Sequence, residues 1–325
     1  MRIRSPWRLV AAASALALVL AGCAGTQTPS SSAPDGTTSG GTAPATGTFN
    51  SGNADYDAII NAGPVADDAT VQGNEWAKAV KAAGVLKVGG TETSDLFSLL
   101  NPTSGVAVGF DAGLSQLLAR YILGDAKTEL TQVTVDTRED LLVNKQVDVV
   151  FATYSITEDR LKRINFAGPY YQSQAAILVK KDNTTINSVA DLAGKKVATQ
   201  ASSTGVKLLE KEAPQAEIIA LPDHTQALTA VQQGRADAYV IDQALLLNAL
   251  VSNDDVKIVG EPFGPVDAYG IGVNADSDAK AFIDAWLAKV EQDGTWLTLW
   301  QTTIGAKTGT DITPTPPAIN SAGNA

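Results

Sequence analysis

The fold is decided by the stretch Gln146-Val147-Asp148-Val149-Val150-Phe151, where a polar turn gives way to an apolar strand that starts with Asp. A second stretch, Gly234-Arg235-Ala236-Asp237-Ala238-Tyr239-Val240-Ile241, repeats this pattern later in the chain. Each follows a helical pattern, and each apolar run suits a strand buried on both faces. Two such units predict two related α/β lobes.

Alternating helix and strand patterns surround both stretches. Gly84 ends one helical pattern, and Asp111 stands where the N-cap of the next helix belongs. The predicted elements of the first lobe are helix Glu75–Ala83, strand 85–89, a helix from Asp111, strand 130–135, helix 138–144 and strand 148–152. Those that follow are strand 197–199, a helix from about Gly205, strand 218–220, helix 225–233, strand 238–241, strand 269–273 and a helix from about Ser277.

Both ends of the chain depart from this pattern. Residues 1–22 combine a basic start with an apolar run too short for a membrane helix, which is typical of an export signal. The signal ends in Leu20-Ala21-Gly22-Cys23, which resembles a bacterial lipobox, so we expect a lipid on Cys23; an ordinary signal peptide is the alternative. The polar, low-complexity composition of residues 23–53 predicts a flexible linker, and that of 306–325 predicts a disordered tail.

Composition excludes several classes of function. The 24 Lys and Arg face 35 Asp and Glu, and removal of residues 1–22 would leave 21 against 35, so the surface repels phosphate and nucleic acid is not an expected partner. One cysteine and one histidine form neither an intramolecular disulfide nor a Cys/His zinc set. The common NTPase, metalloprotease, serine hydrolase and EF-hand motifs are missing from the sequence, and we expect no metal and no cofactor.

Several segments match one protein family in order and spacing. They are Gly109-Phe110-Asp111, Asp148-Val149-Val150-Phe151-Ala152-Thr153, Ser155-Ile156-Thr157-Glu158-Asp159-Arg160, Phe166-Ala167-Gly168-Pro169-Tyr170-Tyr171, Ala190-Asp191-Leu192-Ala193-Gly194-Lys195-Lys196-Val197, Gly234-Arg235-Ala236-Asp237-Ala238, Tyr269-Gly270-Ile271-Gly272 and Asp293-Gly294-Thr295-Trp296. Together they resemble the polar amino-acid solute-binding proteins of ABC importers, in the glutamate/aspartate/glutamine branch of family 3, with the type II periplasmic-binding-protein fold. The resemblance spans residues 85–300.

The resemblance implies a two-lobe α/β clamp, each lobe a mixed sheet flanked by helices. Lobe 1 would comprise residues 54–178 and 266–305, lobe 2 would comprise 179–265, and the chain would cross between them near 175–181 and 261–269. A free amino acid would bind between the lobes of a monomer anchored outside the cytoplasm, and a membrane permease would receive it. The implied function is binding without catalysis.

Arg160 and Asp242 are the candidates for the amino-acid head group, because a carboxylate and an ammonium need a cation opposite an anion. Arg160 follows the expected N-cap Thr157, and Asp242 ends a strand, where ligands of α/β proteins usually bind. The alternatives are a surface Arg160 paired with Glu158 or Asp159, and an Asp242 that caps the next helix.

Further contacts are implied by the resemblance alone. The Thr153 carbonyl and the Ser155 hydroxyl would accept hydrogen bonds from the ligand ammonium. Ser203 and Thr204 would donate hydrogen bonds to the ligand carboxylate. Thr91 begins the segment after the first strand, where the family often has an aromatic residue that covers the ligand. In this sequence the first aromatic residue after Thr91 is Phe97. Ser202 replaces a family glycine.

Arg138 and His224 predict an acidic ligand, glutamate or aspartate, in preference to glutamine. Arg138 begins a predicted helix just after a predicted strand of lobe 1, and His224 occupies the corresponding strand-to-helix loop of lobe 2. The family's acidic-ligand members place an Arg and often a His at these positions. Two cations would suit a second carboxylate. Alternatively, Arg138 pairs with Glu139 or Asp140 and His224 is a neutral residue at a helix start.

Two other functions fit the same fold. A dehydratase could use Glu92, His224 and Asp242 as acid and base groups, although no nucleophile–base pair is evident in the sequence. A tethered sensor that reports the ligand to a membrane receptor would use the same pocket as a transport protein.

Overall fold

One eight-stranded sheet runs through the molecule, and its two outer parts form the two predicted lobes. The computed structural model describes residues 48–310 and 313–321. Its strands are β1 Leu86–Gly90, β2 Thr93–Ser94, β3 Ser98–Leu100, β4 Ala107–Val108, β5 Thr128–Gln132, β6 Val149–Val150, β7 Ile164–Lys180, β8 Lys196–Gln200, β9 Glu217–Leu221, β10 Ala238–Asp242 and β11 Val256–Asn274. The large sheet has the order β5-β1-β6-β11-β7-β10-β8-β9, and β2, β3 and β4 form a separate small sheet.

Helices cover both faces of the large sheet. They are α1 Ala54–Ala62, α2 Asp68–Gln72, α3 Glu75–Ala83, α4 Phe110–Leu123, α5 Arg138–Val143, α6 Glu158–Leu161, α7 Thr204–Glu212, α8 His224–Gln232, α9 Gln243–Ser252, α10 Ala279–Gln292, α11 Thr295–Trp300 and α12 Ala306–Thr308. The neighbours β5, β1 and β6 are parallel in lobe 1, and β10, β8 and β9 are parallel in lobe 2. The predicted two-lobe α/β architecture is confirmed.

The two long strands β7 and β11 join the lobes. They are antiparallel to each other, and β11 pairs with β6 of lobe 1 while β7 pairs with β10 of lobe 2. Because β7 already pairs with β10 from Ala175 onward, the first predicted crossing, at 175–181, is placed too late, and the strand passes between the lobes before Ala175. The second predicted crossing, at 261–269, contains the register shifts of β11 around Phe263 and Asp267.

Lobe 2 shows why a continuous apolar run is needed in such a sheet. Tyr239 and Ile241 of β10 belong to one buried cluster, whereas Ala238 and Val240 belong to another on the opposite face. Successive side chains of a strand point to opposite faces, so a strand with helices on both sides must be apolar at every position.

The start of α4 corrects one prediction. The helix begins at Phe110, so Asp111 is not its N-cap; its buried carboxylate accepts hydrogen bonds from the Thr153 amide at 2.9 Å and the Tyr170 hydroxyl at 2.8 Å. Gly109 precedes the helix at φ 144°, and a Cβ there would lie 2.5 Å from the Phe97 backbone. The close approach of this backbone requires glycine and leaves the cap position without a side chain.

The predicted termini of the folded body are also wrong. Ser51 is buried and donates to the Asp57 carboxylate at 2.6 Å, so the end of the predicted linker 23–53 is packed; residues 23–47 lie outside the described part. The predicted disordered tail, 306–325, instead begins with α12, and the Asn320 amide donates to the Gly168 carbonyl at 2.8 Å. Ile319 packs against the lobe 1 core, which supplies the apolar contact that composition alone did not reveal.

The predicted signal at 1–22 and the lipid site Cys23 lie outside the described residues. Within the described part of the chain, no helix is both long and apolar enough to span a bilayer. Over the same residues, no set of three or more His, Cys, Asp or Glu side chains is arranged to hold a metal ion.

Candidate functional site

A cleft between the lobes brings together all nine residues that the sequence analysis proposes as ligand contacts. They are Thr91, Arg138, Thr153, Ser155, Arg160, Ser203, Thr204, His224 and Asp242. The topology explains this convergence, because these residues follow or end strands β1, β5, β6, β8, β9 and β10 at their carboxyl ends, which meet at the cleft. Their contact with a ligand stays a prediction.

Arg160 lies in the first turn of α6, where the Thr157 side chain accepts from its amide as predicted. Its guanidinium is buried; Nη1 donates to the Ser155 carbonyl at 2.7 Å and Nη2 to the Ser202 carbonyl of lobe 2 at 3.4 Å. The carboxylate nearest to it is Glu139, at 3.8 Å from Nε. The alternative of a surface arginine paired with Glu158 or Asp159 is therefore wrong.

Arg138 begins α5 and is 4% exposed. Nη1 donates to the Ala152 carbonyl at 3.0 Å, and the buried Nε has no hydrogen-bond partner within the described residues. Glu139 and Asp140, its alternative partners, instead bind Arg163 at 3.0 and 2.6 Å. Burial, reinforced by the neighbouring Arg160 charge, lowers the pKa of Arg138 to about 9, which leaves it a cation at neutral pH.

Asp242 stands at the carboxyl end of β10 and is buried. It accepts a hydrogen bond from the Tyr269 hydroxyl at 2.7 Å and makes no capping bond to α9, so its side chain does not take the alternative capping role. Burial, together with the nearby Asp267 charge, raises the pKa of Asp242 to about 7. The carboxyl group therefore changes its charge near neutral pH.

Asp267 was missed by the sequence analysis. It lies on β11 where the chain crosses between the lobes, and its carboxylate accepts from the Thr204 hydroxyl at 2.7 Å and lies 3.5 Å from the Ser155 hydroxyl. The Ser203 hydroxyl donates to the Gln200 carbonyl at 2.7 Å. In this structure the hydroxyls expected to face a ligand thus have partners within the protein.

His224 begins α8, with Nδ1 3.2 Å from the Tyr239 hydroxyl and a buried Nε2 without a partner in the described part of the chain. Burial lowers the pKa of His224 to about 4, despite the opposing charge of Asp223. The expectation of a second cation here is wrong, because the ring is neutral at neutral pH. His224 lines the same cleft as Arg138, from the opposite lobe.

Thr91 and Thr153 line the cleft, and backbone groups of both are hydrogen-bonded within the protein. The Thr91 carbonyl accepts from the Ser98 hydroxyl at 2.6 Å. Thr153 has a left-handed backbone conformation, φ 43°, and its amide donates to the Asp111 carboxylate at 2.9 Å. Phe97, the first aromatic after Thr91, also lines the cleft and packs edge-on against Tyr171 at 5.6 Å between ring centroids. The fold therefore brings an aromatic side chain to the cleft from a later position in the sequence.

Comparisons with known proteins agree with this architecture. Residues 86–305 match the bacterial extracellular solute-binding proteins, family 3. Over 205 residues the chain is 37% identical to the glutamine-binding protein of Geobacillus stearothermophilus, which covers 62% of this chain and 78% of that protein. Over 238 residues it is 27% identical to the glutamate-binding protein GluB of Corynebacterium efficiens, covering 69% of this chain and 80% of the relative.

Solved structures show the same fold. A crystal structure of a mutant arginine-binding protein from T. maritima superposes with a TM-score of 0.65 at 28% identity, covering 71% of this chain and 99% of that one. The match to the family takes in every strand of the large sheet, including both crossing strands, and all nine cleft residues. The chain belongs to family 3 of the bacterial extracellular solute-binding proteins.

Proposed function

We propose that this protein binds an acidic amino acid, glutamate or aspartate, in the cleft and delivers it to an ABC importer permease. The observation that carries the proposal is a pair of buried guanidiniums, Arg138 and Arg160, on the lobe 1 side of a cleft whose lobe 2 side holds the carboxyl group of Asp242. No salt bridge to Arg138 exists among the residues that the structure describes, whereas Arg160 has Glu139 nearby.

Charge balance favours an acid over its amide. In our proposal Arg160 binds the α-carboxylate, Asp242 binds the ammonium, and Arg138 is left for the side chain of the ligand. A carboxylate there pairs with the buried cation. An amide leaves that cation without a counter-charge, which costs roughly several kcal/mol of binding free energy. His224, although neutral, offers Nε2 as a further hydrogen-bonding atom.

The names of the relatives support amino-acid binding but differ in the side chain of the amino acid that they specify. The relative at 37% identity is called glutamine-binding, and the one at 27% is called glutamate-binding. Binding without catalysis fits the site, because Glu92, one of the three groups a dehydratase was expected to use, does not line the cleft, whereas His224 and Asp242 do.

The test is the acid-over-amide affinity ratio. We expect calorimetry to show glutamate or aspartate bound at least tenfold more tightly than glutamine and asparagine, which is about 1.4 kcal/mol. Arg138→Met should remove that preference. Arg163→Met is the matched control, because Arg163 is half-exposed, binds the neighbouring acids Glu139 and Asp140, and does not line the cleft. A wild-type preference for glutamine, or an unchanged ratio in Arg138→Met, would contradict the acidic-ligand proposal.

We also propose an extracytoplasmic location with a lipid anchor on Cys23, supported by the Leu20-Ala21-Gly22-Cys23 sequence at the end of the apolar run. In that location the protein would have two partners, which are the permease and, through the lipid on Cys23, the membrane. Cys23→Ala should move the mature protein from the membrane fraction to the soluble fraction of a cell extract. Retention of the variant in the membrane fraction would refute the anchor.

A further inference from the structure

We propose that Tyr154 is a positioning residue whose ring face holds the two cleft arginines and thereby sets the preference for an acidic ligand. The inference rests on the proposed function. Tyr154 lies between Thr153 and Ser155, two residues of the cleft lining, yet its own side chain is fully buried behind that lining. It therefore acts on a ligand only through its neighbours.

Both guanidiniums lie over the same aromatic ring. The Arg138 Cζ is 3.7 Å from the centroid of the Tyr154 ring, and the Arg160 Cζ is 5.2 Å from it. A cation within about 6 Å of an aromatic centroid is attracted by the ring, and the attraction strengthens when the pair is shielded from water. One ring thus stabilises two like charges that repel each other.

The ring can hold the arginines because its own position is fixed. Phe166 packs edge-on against it at 4.7 Å between centroids, and the Tyr154 carbonyl accepts from the Gly270 amide at 2.9 Å. The strand β11 passes directly behind the ring at Gly272, where a Cβ would lie 3.0 Å from a ring carbon. A glycine in this strand therefore makes room for the tyrosine.

Hydrogen bonds alone do not fix Arg138. A guanidinium has five N–H donors, and the contacts within the described residues use Nη1 on Ala152 and leave the buried Nε free. The ring face supplies a further constraint, because the Arg138 Cζ lies over it at 3.7 Å from the centroid. This placement leaves the edge of the guanidinium, with its donors, available to a ligand carboxylate in the cleft.

The first test compares Tyr154→Phe with Tyr154→Leu. Phe keeps the aromatic face, and we expect its glutamate-over-glutamine affinity ratio to stay within about twofold of wild type. Leu keeps an apolar side chain without the face, and the ratio should fall about fivefold or more, with weaker binding of both ligands because Arg160 is also displaced. In an Arg138→Met background, Tyr154→Leu should not change the ratio further.

A second test keeps the shape of the ring, in case Tyr154→Leu does not fold. Phenylalanines with increasing numbers of fluorine atoms, incorporated at position 154, progressively weaken the negative ring face while nearly preserving its size. We expect the affinity ratio to fall stepwise with fluorine number, while the free protein stays folded at the assay temperature. A ratio that does not change along this series would overturn the role of the ring face.

The outcomes separate this inference from the proposed function. If wild type prefers glutamate and Arg138→Met removes the preference, while the fluorinated series keeps it, Tyr154 is a packing residue only and the proposed function stands. If wild type prefers glutamine, the proposed function fails and takes the specificity role of Tyr154 with it.

Discussion

The two walls of the cleft hold charge in different ways. The lobe 1 wall carries the buried guanidiniums of Arg138 and Arg160 over the Tyr154 ring. The lobe 2 wall carries Asp242, whose pKa burial and Asp267 raise to about 7, and a neutral His224. The wall proposed to bind the ligand carboxylates therefore holds two guanidiniums, whereas the charge of the wall proposed to bind the ammonium depends on pH near neutrality through Asp242.

The largest expected effect comes from removing the Arg160 guanidinium from the lobe 1 wall. Arg160→Ala should weaken binding of every amino acid alike, by about 2–5 kcal/mol, because it removes the partner of a desolvated carboxylate that all of them share. Titration calorimetry with glutamate, aspartate and glutamine measures the loss. Arg163→Ala, which removes an arginine bound to the same Glu139 but outside the cleft, should bind normally. Normal affinity in Arg160→Ala would place the α-carboxylate elsewhere.

An intermediate effect should come from protonating the other wall. The raised pKa of Asp242 means that the free protein holds a proton there below about pH 7, and binding of an ammonium releases it. Affinity should therefore rise with pH up to about 7 and level off above it, with binding at pH 6 about tenfold weaker than at pH 8. His224, with a pKa of about 4, does not titrate in this window.

Calorimetry from pH 5.5 to 8.5, in two buffers with different ionisation enthalpies, counts the released protons. Asp267→Asn is the informative variant. It removes the neighbouring charge that raises the pKa of Asp242, so its binding profile should shift to lower pH. The groups that face Asp242 are Asp267, Tyr269 and Arg160. An affinity that does not change between pH 5.5 and 8 would show that Asp242 is ionised throughout this range. The two walls would then not differ in the pH dependence of their charge.

The smallest effect concerns the surface pair that joins the walls at the protein exterior. Lys207 of α7 binds Asp159 of α6 at 2.6 Å, with both side chains largely exposed. Exposed pairs contribute at most about 1 kcal/mol, so Lys207→Gln should raise the dissociation constant for glutamate no more than about fivefold, and 1 M salt should remove the difference. Lys211→Gln, which breaks a pair within lobe 2, is the control. Equal effects from the two variants would show that Lys207 does not stabilise closure.

Much of the fold could be predicted because local patterns decide it. The helix Glu75–Ala83 has the predicted bounds, with Gly84 at φ 70° after it, and both Asp-led strands lie in the sheet. The short strands β2, β3 and β4 have two or three residues each, too few for a period to show. Helix α1 starts from an Asn53 cap inside a segment whose composition predicts a linker.

The cleft residues were predictable as positions but not as chemical states. All nine line the cleft, since motif spacing follows the strand ends. Burial keeps His224 neutral, and burial together with Asp267, 25 residues further along the chain, raises the pKa of Asp242. Tyr154 was overlooked for a related reason, because its contacts with two arginines depend on how β6, α5 and α6 pack together.

The crossing strands have a mechanical consequence. Between Phe263 and Asp267, β11 has three intervening residues where β7 has one between Ala175 and Ser173, and Pro265 in that stretch has no N–H to donate. Of the three register shifts between β11 and β7, this one thus falls at the boundary between the two lobes. We expect the lobes to rotate about an axis through this short segment while each keeps its own hydrogen bonds, so that opening for ligand release carries little elastic penalty and does not compete with the stability of either lobe.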